Sequence, residues 1–386
     1  MNVVRLWFVS AFAFCVPAML FVTRGIHASS AVEAVLFGLA ILGAAFILSW
    51  AAEVAQMDIS QGLAVAILAL IAVLPEYAVD LYFAWRAAED PQYGHYAAAN
   101  MTGANRLLVG FGWPVVFLVF AWRFKKRHLA IESSHRTEIG FLGIATLYSF
   151  ILPFKHSISL MDTAIFFAIF AVYAWKVARA EVHEPELVGP SKLIGALPRN
   201  TRRSVTLALF VIAALVIFNS AERFAEALVH AGKEAGLDEF LLVQWVAPLA
   251  SEAPEFIIAI LWTFRGDAAA GLGALISSKV NQWTLLIGTI PVAYSIGLGR
   301  PGSLHLDVRQ QHELLLTACQ SLFAVAVLMN LRMAWWEAVL LFVLFMAQLL
   351  VEHIRMPMAI LYVILAVMVM IRERHQFAAL VRRRAS

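Results

Sequence analysis

The architecture of this chain follows from two short segments, Ala72-Val73-Leu74-Pro75-Glu76 and Ser251-Glu252-Ala253-Pro254-Glu255. Each segment places a Pro-Glu pair inside a long apolar run, and small residues follow early in the next run. The similarity continues in Arg136-Thr137-Glu138 and Arg309-Gln310-Gln311-His312-Glu313, each of which opens a further pair of apolar runs. The sequence therefore predicts two copies of one unit of about five helices.

The composition indicates a membrane protein. Of the 386 residues, 62% are apolar and only 14% are charged, whereas an average soluble domain is about 25% charged. This balance argues against soluble enzymes, disordered chains and nucleic-acid binders, and the net charge is only +3. About twelve apolar runs are long enough to cross a bilayer. They lie near residues 5–22, 31–52, 61–87, 95–122, 137–153, 159–178, 204–220, 240–264, 268–297, 312–331, 334–351 and 356–371.

Five is an odd number of helices, so a second copy that follows the first directly must insert upside down. We therefore predict an all-α polytopic membrane protein with two inverted five-helix repeats and one extra helix at each end. The predicted parts are an N-terminal helix or signal anchor (1–30), a first repeat (31–180), a cytoplasmic linker (181–203), a second repeat (204–352) and a C-terminal helix with a basic tail (353–386).

The basic residues predict the orientation. With the N-terminus inside and twelve spans, nineteen of the 29 Lys and Arg residues fall on the inner side and eight on the outer side. Because basic loops stay in the cytoplasm, this bias predicts a multi-pass protein of the inner or plasma membrane with both termini cytoplasmic. The expected partners are membrane lipid and inorganic cations, with no nucleic acid and no resident cofactor, and the sequence does not indicate the oligomeric state.

The Pro-Glu pairs predict the chemistry of the site. A proline inside a helix breaks the helix locally and frees the carbonyl oxygen four residues earlier, so we expect breaks at Pro75 and Pro254 with free carbonyls at Ile71 and Ala250. An ionised carboxylate in the bilayer needs a cation or another partner. Glu76 and Glu255 would thus lie beside free oxygens, which suits Na⁺, Ca²⁺ or an exchanged proton. These two glutamates are the predicted core cation ligands.

Further polar residues surround the two glutamates in the sequence. Asp80 shares a helix face with Glu76, and Glu252 lies close to Glu255. The complete predicted cation site comprises the carboxyl groups of Glu76, Glu255, Asp80 and Glu252 and the neutral oxygens of Ser251, Ser278, Asn100 and Asn105. Two basic residues within predicted spans, Lys279 and Arg106, would balance its charge. The alternative for both is a structural role. Four other glutamates lie at span ends and are interpreted as interfacial: Glu53, Glu138, Glu222 and Glu313.

At these positions the chain resembles the cation/Ca²⁺ exchanger superfamily, which includes the Na⁺/Ca²⁺ exchangers. That superfamily has two inverted repeats, each with a pattern like G-T-S-x-P-E followed by G-N-x-x-G-S-N-x-x-N. The resemblance implies ten core helices, alternating access and a central acidic site. It places Glu76 and Glu255 at the cation-binding glutamates, and Ser251 and Ser278 at hydroxyl positions of the second repeat.

The chain also departs from that pattern in both repeats. Ala104 replaces a serine ligand, Leu108 replaces an asparagine ligand, and Gln282 fills the matching position of the second repeat. Lys279 stands in an asparagine position, and an ammonium group can take the place and charge of a bound Na⁺. Fewer coupling ions, or proton coupling through the carboxyl groups and Lys279, is therefore expected.

The leading hypothesis is a secondary-active antiporter that exchanges Ca²⁺ or Na⁺ against Na⁺ or H⁺ at a midplane carboxylate site. Two alternatives remain: a proton-coupled transporter of an anion or organic solute on the same fold, and a non-transporting membrane protein with a dry, ion-paired centre. An enzyme is not expected, because the sequence contains no metal-ligand histidine spacing, nucleophile elbow or phosphate loop.

Overall fold

The computed structural model describes residues 3–58, 74–179, 187, 189–351 and 354–373, and these are mostly helical. The chain divides into two compact units. The first contains residues 1–100, 174–255 and 293–300, and the second contains residues 101–173, 256–292 and 301–386. Each unit takes segments from both halves of the sequence, so the compact units differ from the predicted repeats. The inverted repeat itself stays a prediction.

The described residues of the first unit form helices joined by loops and turns. Its complete helices are α1 (Val3–Arg24), α2 (Ser30–Ala55), α3 (Leu74–Arg86), α9 (Pro190–Gly195) and α10 (Arg199–Ala235). It also contains the first parts of α4 (Gln92–Leu107) and α11 (Glu239–Arg265) and the last turns of α8 (Leu160–Val177) and α13 (Ile287–Leu298).

The core of the first unit forms where α2 packs along α10 and against α1. Gly38 lets α2 approach α10 closely, since a Cβ at this position would lie 2.9 Å from the Phe224 ring. On its other face α10 exposes large apolar side chains, among them Leu207 and Phe218. Lipid is the natural environment for such a stripe.

The second unit contains the remaining helices and four short strands. The helices that lie wholly within it are α5 (Trp113–Phe124), α6 (Arg136–Ser149), α7 (Ile151–Lys155), α12 (Ala268–Asn281), α14 (Val308–Leu328), α15 (Trp335–Leu350) and α16 (Arg355–Arg372). Two antiparallel strand pairs join loops: β1 (His128–Ala130) with β4 (Arg332–Ala334), and β2 (Ser157–Ile158) with β3 (Leu304–His305).

Two π-helical segments in the second unit follow site-bearing helices. Leu108–Gly112 continues α4 and Gln282–Leu286 continues α12. Their first residues, Leu108 and Gln282, occupy matching positions in the predicted repeats. π-Helical turns are rare and are often found at functional sites.

The predicted membrane spans agree in large part with the helices. Within the described ranges, nine helices are long and apolar enough to cross a membrane, and Trp335–Leu350 is a shorter apolar helix. The predicted run 268–297 is helical but less apolar, since it carries Lys279, and part of the run 61–87 lies outside the described residues. The chain is a multi-pass membrane protein, and the count of twelve spans stays a prediction.

The structure corrects the expected helix break at Pro254. The helix α11 continues from Glu239 to Arg265 with both Pro248 and Pro254 inside it. One proline removes a single backbone hydrogen bond, and the remaining bonds of a long, packed helix can hold it together. In the first repeat, Pro75 is the second described residue of α3, and the predicted free carbonyl of Ile71 lies outside the described residues.

Candidate functional site

The first unit brings several of the predicted acidic residues together. Glu76 and Asp80 lie one turn apart on α3 and are almost fully buried, as is Glu252 on α11. The Glu76 carboxyl lies close enough to Glu252, Asp80 and Glu255 for each of these acids to act on it electrostatically. Carboxyl groups this close cannot all be ionised unless protons or a cation compensate their charge.

Asp80 and Asn100 form the best-defined contact of this cluster. The Asn100 side-chain amide on α4 donates to Asp80 Oδ1 over 2.9 Å, and both residues are at most 1% exposed. The other oxygens of the pair, Asp80 Oδ2 and Asn100 Oδ1, are also buried and accept no hydrogen bond from the described residues. Two hard oxygen atoms are therefore available beside the glutamates, and Ca²⁺ and Na⁺ favour such ligands.

The residues at the Pro254 segment are less enclosed. Glu255 is partly exposed. The Ser251 hydroxyl, also partly exposed, donates to carbonyls of its own helix, Ala247 and Pro248, at 3.3 Å each. The hydroxyl oxygen of Ser251 can still accept or coordinate while its proton is bonded within the helix.

In the second unit, Lys279, which the sequence predicts as a charge-balancing residue, contacts neutral groups. The fully buried Lys279 ammonium donates to Asn105 Oδ1 over 2.7 Å and to the Asn105 backbone oxygen over 3.2 Å. It also lies 4.3 Å from the centroid of the Trp283 ring, a cation–π contact. The predicted neutral ligand Asn105 thus binds a tethered cation. Ser278, next to Lys279, is buried as well.

The second unit also gives Arg106 an acidic partner that the sequence did not predict. Arg106 Nη2 lies 2.5 Å from Glu313 Oε2, and Arg355 donates to the other Glu313 oxygen over 2.5 Å. The Gln348 amide oxygen accepts from Arg106 over 3.4 Å. Arg106 and Glu313 are each 1% exposed. This Arg–Glu–Arg group matches the structural role that was left open for Arg106.

The interpretation of Glu138 and Glu313 as interfacial is therefore wrong with respect to exposure, because both are buried. A signal was present in the sequence, since Glu313 lies within the predicted run 312–331 and an acid inside a span normally has a basic partner. The partner itself could not be read from the sequence, because Arg106 precedes Glu313 by about two hundred residues.

A ready-made metal cage is not part of this arrangement. Within the portion of the chain that the structure describes, no three His, Cys, Asp or Glu side chains are placed to hold a metal ion. A cation at the acidic cluster would therefore need amide, hydroxyl or backbone oxygens in addition to carboxylates.

The fold and the site together define a class: a polytopic helical membrane protein that buries several acids on its membrane helices. The chain belongs to the sodium/calcium exchanger protein family, which it matches over residues 29–178 and 205–352. A search of the curated proteins finds no significant match.

Three solved structures show the same fold. The H⁺/Ca²⁺ exchanger CAX is 44% identical over 99% of this chain and 98% of its own, with a TM-score of 0.95. Native YfkE is 15% identical over 93% of this chain and 99% of its own, with a TM-score of 0.67. The sodium-calcium exchanger NCX_Mj is 13% identical over 83% of this chain and 98% of its own, with a TM-score of 0.56.

Proposed function

We propose that this protein is a secondary-active cation antiporter that exchanges Ca²⁺ for H⁺ by alternating access. Its cation ligands come from the acidic cluster of the first unit, which contains the buried Glu76, Asp80 and Glu252 and the partly exposed Glu255, together with the amide oxygen of Asn100. Both termini are assigned to the cytoplasmic side of the cell's inner or plasma membrane, and the site to the membrane midplane.

The observation that carries this proposal is the pair of buried oxygens at Asp80 and Asn100, which accept no hydrogen bond from the described residues. Asp80 lies on α3 together with Glu76, which is only 2% exposed, and Asn100 lies on α4. A buried carboxylate without a compensating charge is unfavourable, so the cluster must hold protons or a cation. The 44% identity to an H⁺/Ca²⁺ exchanger favours Ca²⁺ as the cation.

The exchange follows from competition for the same oxygens. When Ca²⁺ binds, the carboxyl groups that coordinate it release their protons, because each oxygen lone pair serves either a proton or the metal. When Ca²⁺ leaves, protons return and neutralise the buried acids. The two ions therefore move in opposite directions, and no covalent chemistry is involved.

Lys279 is a tethered basic group that does not leave with the transported ion. Its ammonium binds the Asn105 oxygens that a mobile cation could otherwise use. We assign it to the tuning of proton coupling, because an ammonium group can take the charge role of a bound cation. Lys279→Ala is expected to change the pH dependence of transport, and an unaltered pH profile would remove Lys279 from the mechanism.

Reconstituted vesicles test the proposal. With an imposed pH gradient, the wild type is expected to accumulate ⁴⁵Ca²⁺, whereas Glu76→Gln with Glu255→Gln is expected to lose nearly all uptake. The matched control is Glu89→Gln with Glu132→Gln, which removes two exposed carboxylates. Uptake by the site variant equal to that of the control, for Ca²⁺ and also for Na⁺, would contradict the assignment.

A further inference from the structure

A second polar cluster of the first unit ties together the helices that carry the cation site. Glu226 on α10 accepts from the Tyr82 hydroxyl of α3 over 2.5 Å. The same carboxylate accepts from the Tyr93 hydroxyl of α4, at 2.7 Å to Oε1 and 2.8 Å to Oε2. We refer to Tyr82, Tyr93 and Glu226 as the Glu226 clamp.

The two tyrosines of the clamp lie on the same two helices as the best-defined site contact, and Glu226 lies on α10. Tyr82 follows Asp80 by two residues on α3, and Tyr93 precedes Asn100 by seven residues on α4. Seven residues are two helical turns, so Tyr93 and Asn100 share a helix face about 10 Å apart. The two helices are thus connected twice, directly by the Asp80–Asn100 bond and indirectly by the clamp through Glu226 of α10.

The contacts around the clamp leave its hydroxyls little freedom. The Tyr82 and Tyr93 rings pack edge to face with centroids 6.4 Å apart, and Arg86 lies 5.4 Å from the Tyr93 centroid. His230, one turn beyond Glu226 on α10, lies 3.6 Å from the carboxylate. Hydrogen bonds to a charged acceptor are stronger than neutral ones, so two hydroxyls that share one carboxylate hold their helices firmly.

We propose that Glu226 is a positioning residue for cation binding: through Tyr82 and Tyr93 it fixes α3 relative to α4 and so keeps the Asp80 and Asn100 oxygens at coordination distance. The inference rests on the proposed function for its substrate but not for the clamp itself. The ligands of a binding site must be held within about 0.5 Å of their productive positions. Two helices that are connected by a single hydrogen bond can move relative to each other more than two helices that are connected twice.

Transport kinetics provide the first test. Tyr82→Phe with Tyr93→Phe removes only two oxygen atoms and is expected to raise the half-saturating Ca²⁺ concentration of ⁴⁵Ca²⁺ uptake about tenfold, equivalent to ~1.4 kcal/mol. The maximal rate should stay within about twofold, because the coordinating atoms themselves are unchanged. Tyr96→Phe is the matched control, since the Tyr96 hydroxyl bonds to Gln92.

Variants of the carboxylate separate hydrogen bonding from charge. Glu226→Gln keeps an oxygen that can accept both hydroxyls, so its half-saturating concentration should stay within about threefold of the wild type. Glu226→Ala should reproduce the tenfold increase. Glu222→Gln removes an exposed charge one turn away on α10 and should have little effect. An equal change in Glu222→Gln and Glu226→Ala would mean that surface charge, not the clamp, sets the affinity.

Backbone amide hydrogen exchange tests the clamp independently of transport. In purified protein without added cation, amides in 74–86 and 92–107 should exchange several-fold faster in the Tyr82→Phe/Tyr93→Phe variant than in Tyr96→Phe. If the wild type transports no cation, the proposed function fails while this measurement still decides the clamp. If the wild type transports Ca²⁺ and the double variant matches it in both affinity and exchange, the clamp is overturned.

Discussion

The buried Arg106–Glu313 pair offers a stability test in which the size of the loss depends on which partner is removed. Both side chains are almost fully buried, their charged atoms lie 2.5 Å apart, and Glu313 also binds Arg355. A buried charge that loses its partner costs more than the pair contributes when intact. Single substitutions are therefore expected to be more harmful than removal of both charges together.

The magnitude follows from what each variant leaves behind. Arg106→Met leaves Glu313 paired with Arg355 and is expected to cost about 3 kcal/mol, whereas Glu313→Leu leaves Arg106 buried without its carboxylate and should approach about 5 kcal/mol. The double variant leaves Arg355, whose side chain is 20% exposed and can reach solvent, so its cost should be about 1 kcal/mol or less. For a chain of this size, ~1 kcal/mol corresponds to ~2 °C in the melting temperature.

The assay is a thermal scan of the purified protein by the intrinsic fluorescence of its 11 tryptophans. Melting temperatures should fall by about 6 °C and about 10 °C in the single variants and by about 2 °C or less in the double variant. A double variant that loses the sum of the two single effects would refute the pairing. Calcium uptake by the folded double variant then decides whether Arg106 also balances the acidic site: retained uptake assigns it to structure, and lost uptake assigns it to transport.

Two further predictions concern residues outside the acidic cluster of the first unit. The hydrogen bond from Arg202 lowers the pKa of Asp58 from its ordinary 3.8 to about 2. This contact therefore stabilises the protein above about pH 4, and the stabilisation is lost as the pH falls through about 2. Asp58→Asn should lower the melting temperature by a few degrees at pH 7, and the difference between its melting temperature and that of the wild type should vanish near pH 2. Gly110→Ala would place a Cβ 2.4 Å from Phe345 and should cost about 1–3 kcal/mol in a thermal scan, whereas Gly143→Ala, with its nearest atom at 3.5 Å, should be neutral or stabilising.

The acidic cluster could be predicted from the sequence because its signal is local. A Pro-Glu pair within an apolar run marks an acid in the membrane, and helical spacing places Asp80 beside Glu76 without any knowledge of tertiary structure. Recognition of the repeat then predicted that Glu252 and Glu255 meet the first pair, and the structure places these four acids in one unit. Their role in cation binding stays a prediction.

The partners of the fixed cations could not be predicted in the same way. Lys279 and Arg106 were identified as buried charges, but their nearest ligands, Asn105 and Glu313, are set by helices that are distant in the sequence. Glu226 was missed for a related reason, since nothing in its own helix indicates that two tyrosines from α3 and α4 donate to it. A charged residue within an apolar run of the sequence can be predicted to be buried. The residues that it contacts are determined by the packing of helices that are distant in the sequence.

Proton release on calcium binding tests directly whether Ca²⁺ and protons compete for the same carboxyl groups. A weakly buffered solution of the purified protein, monitored with a pH indicator, is titrated with Ca²⁺ and, in parallel, with Mg²⁺. We predict that Ca²⁺ releases protons from the wild type in proportion to the bound ion, and that Glu76→Gln with Glu255→Gln releases none. Calcium binding without proton release, or undiminished release from that variant, would contradict an exchange carried by these acids.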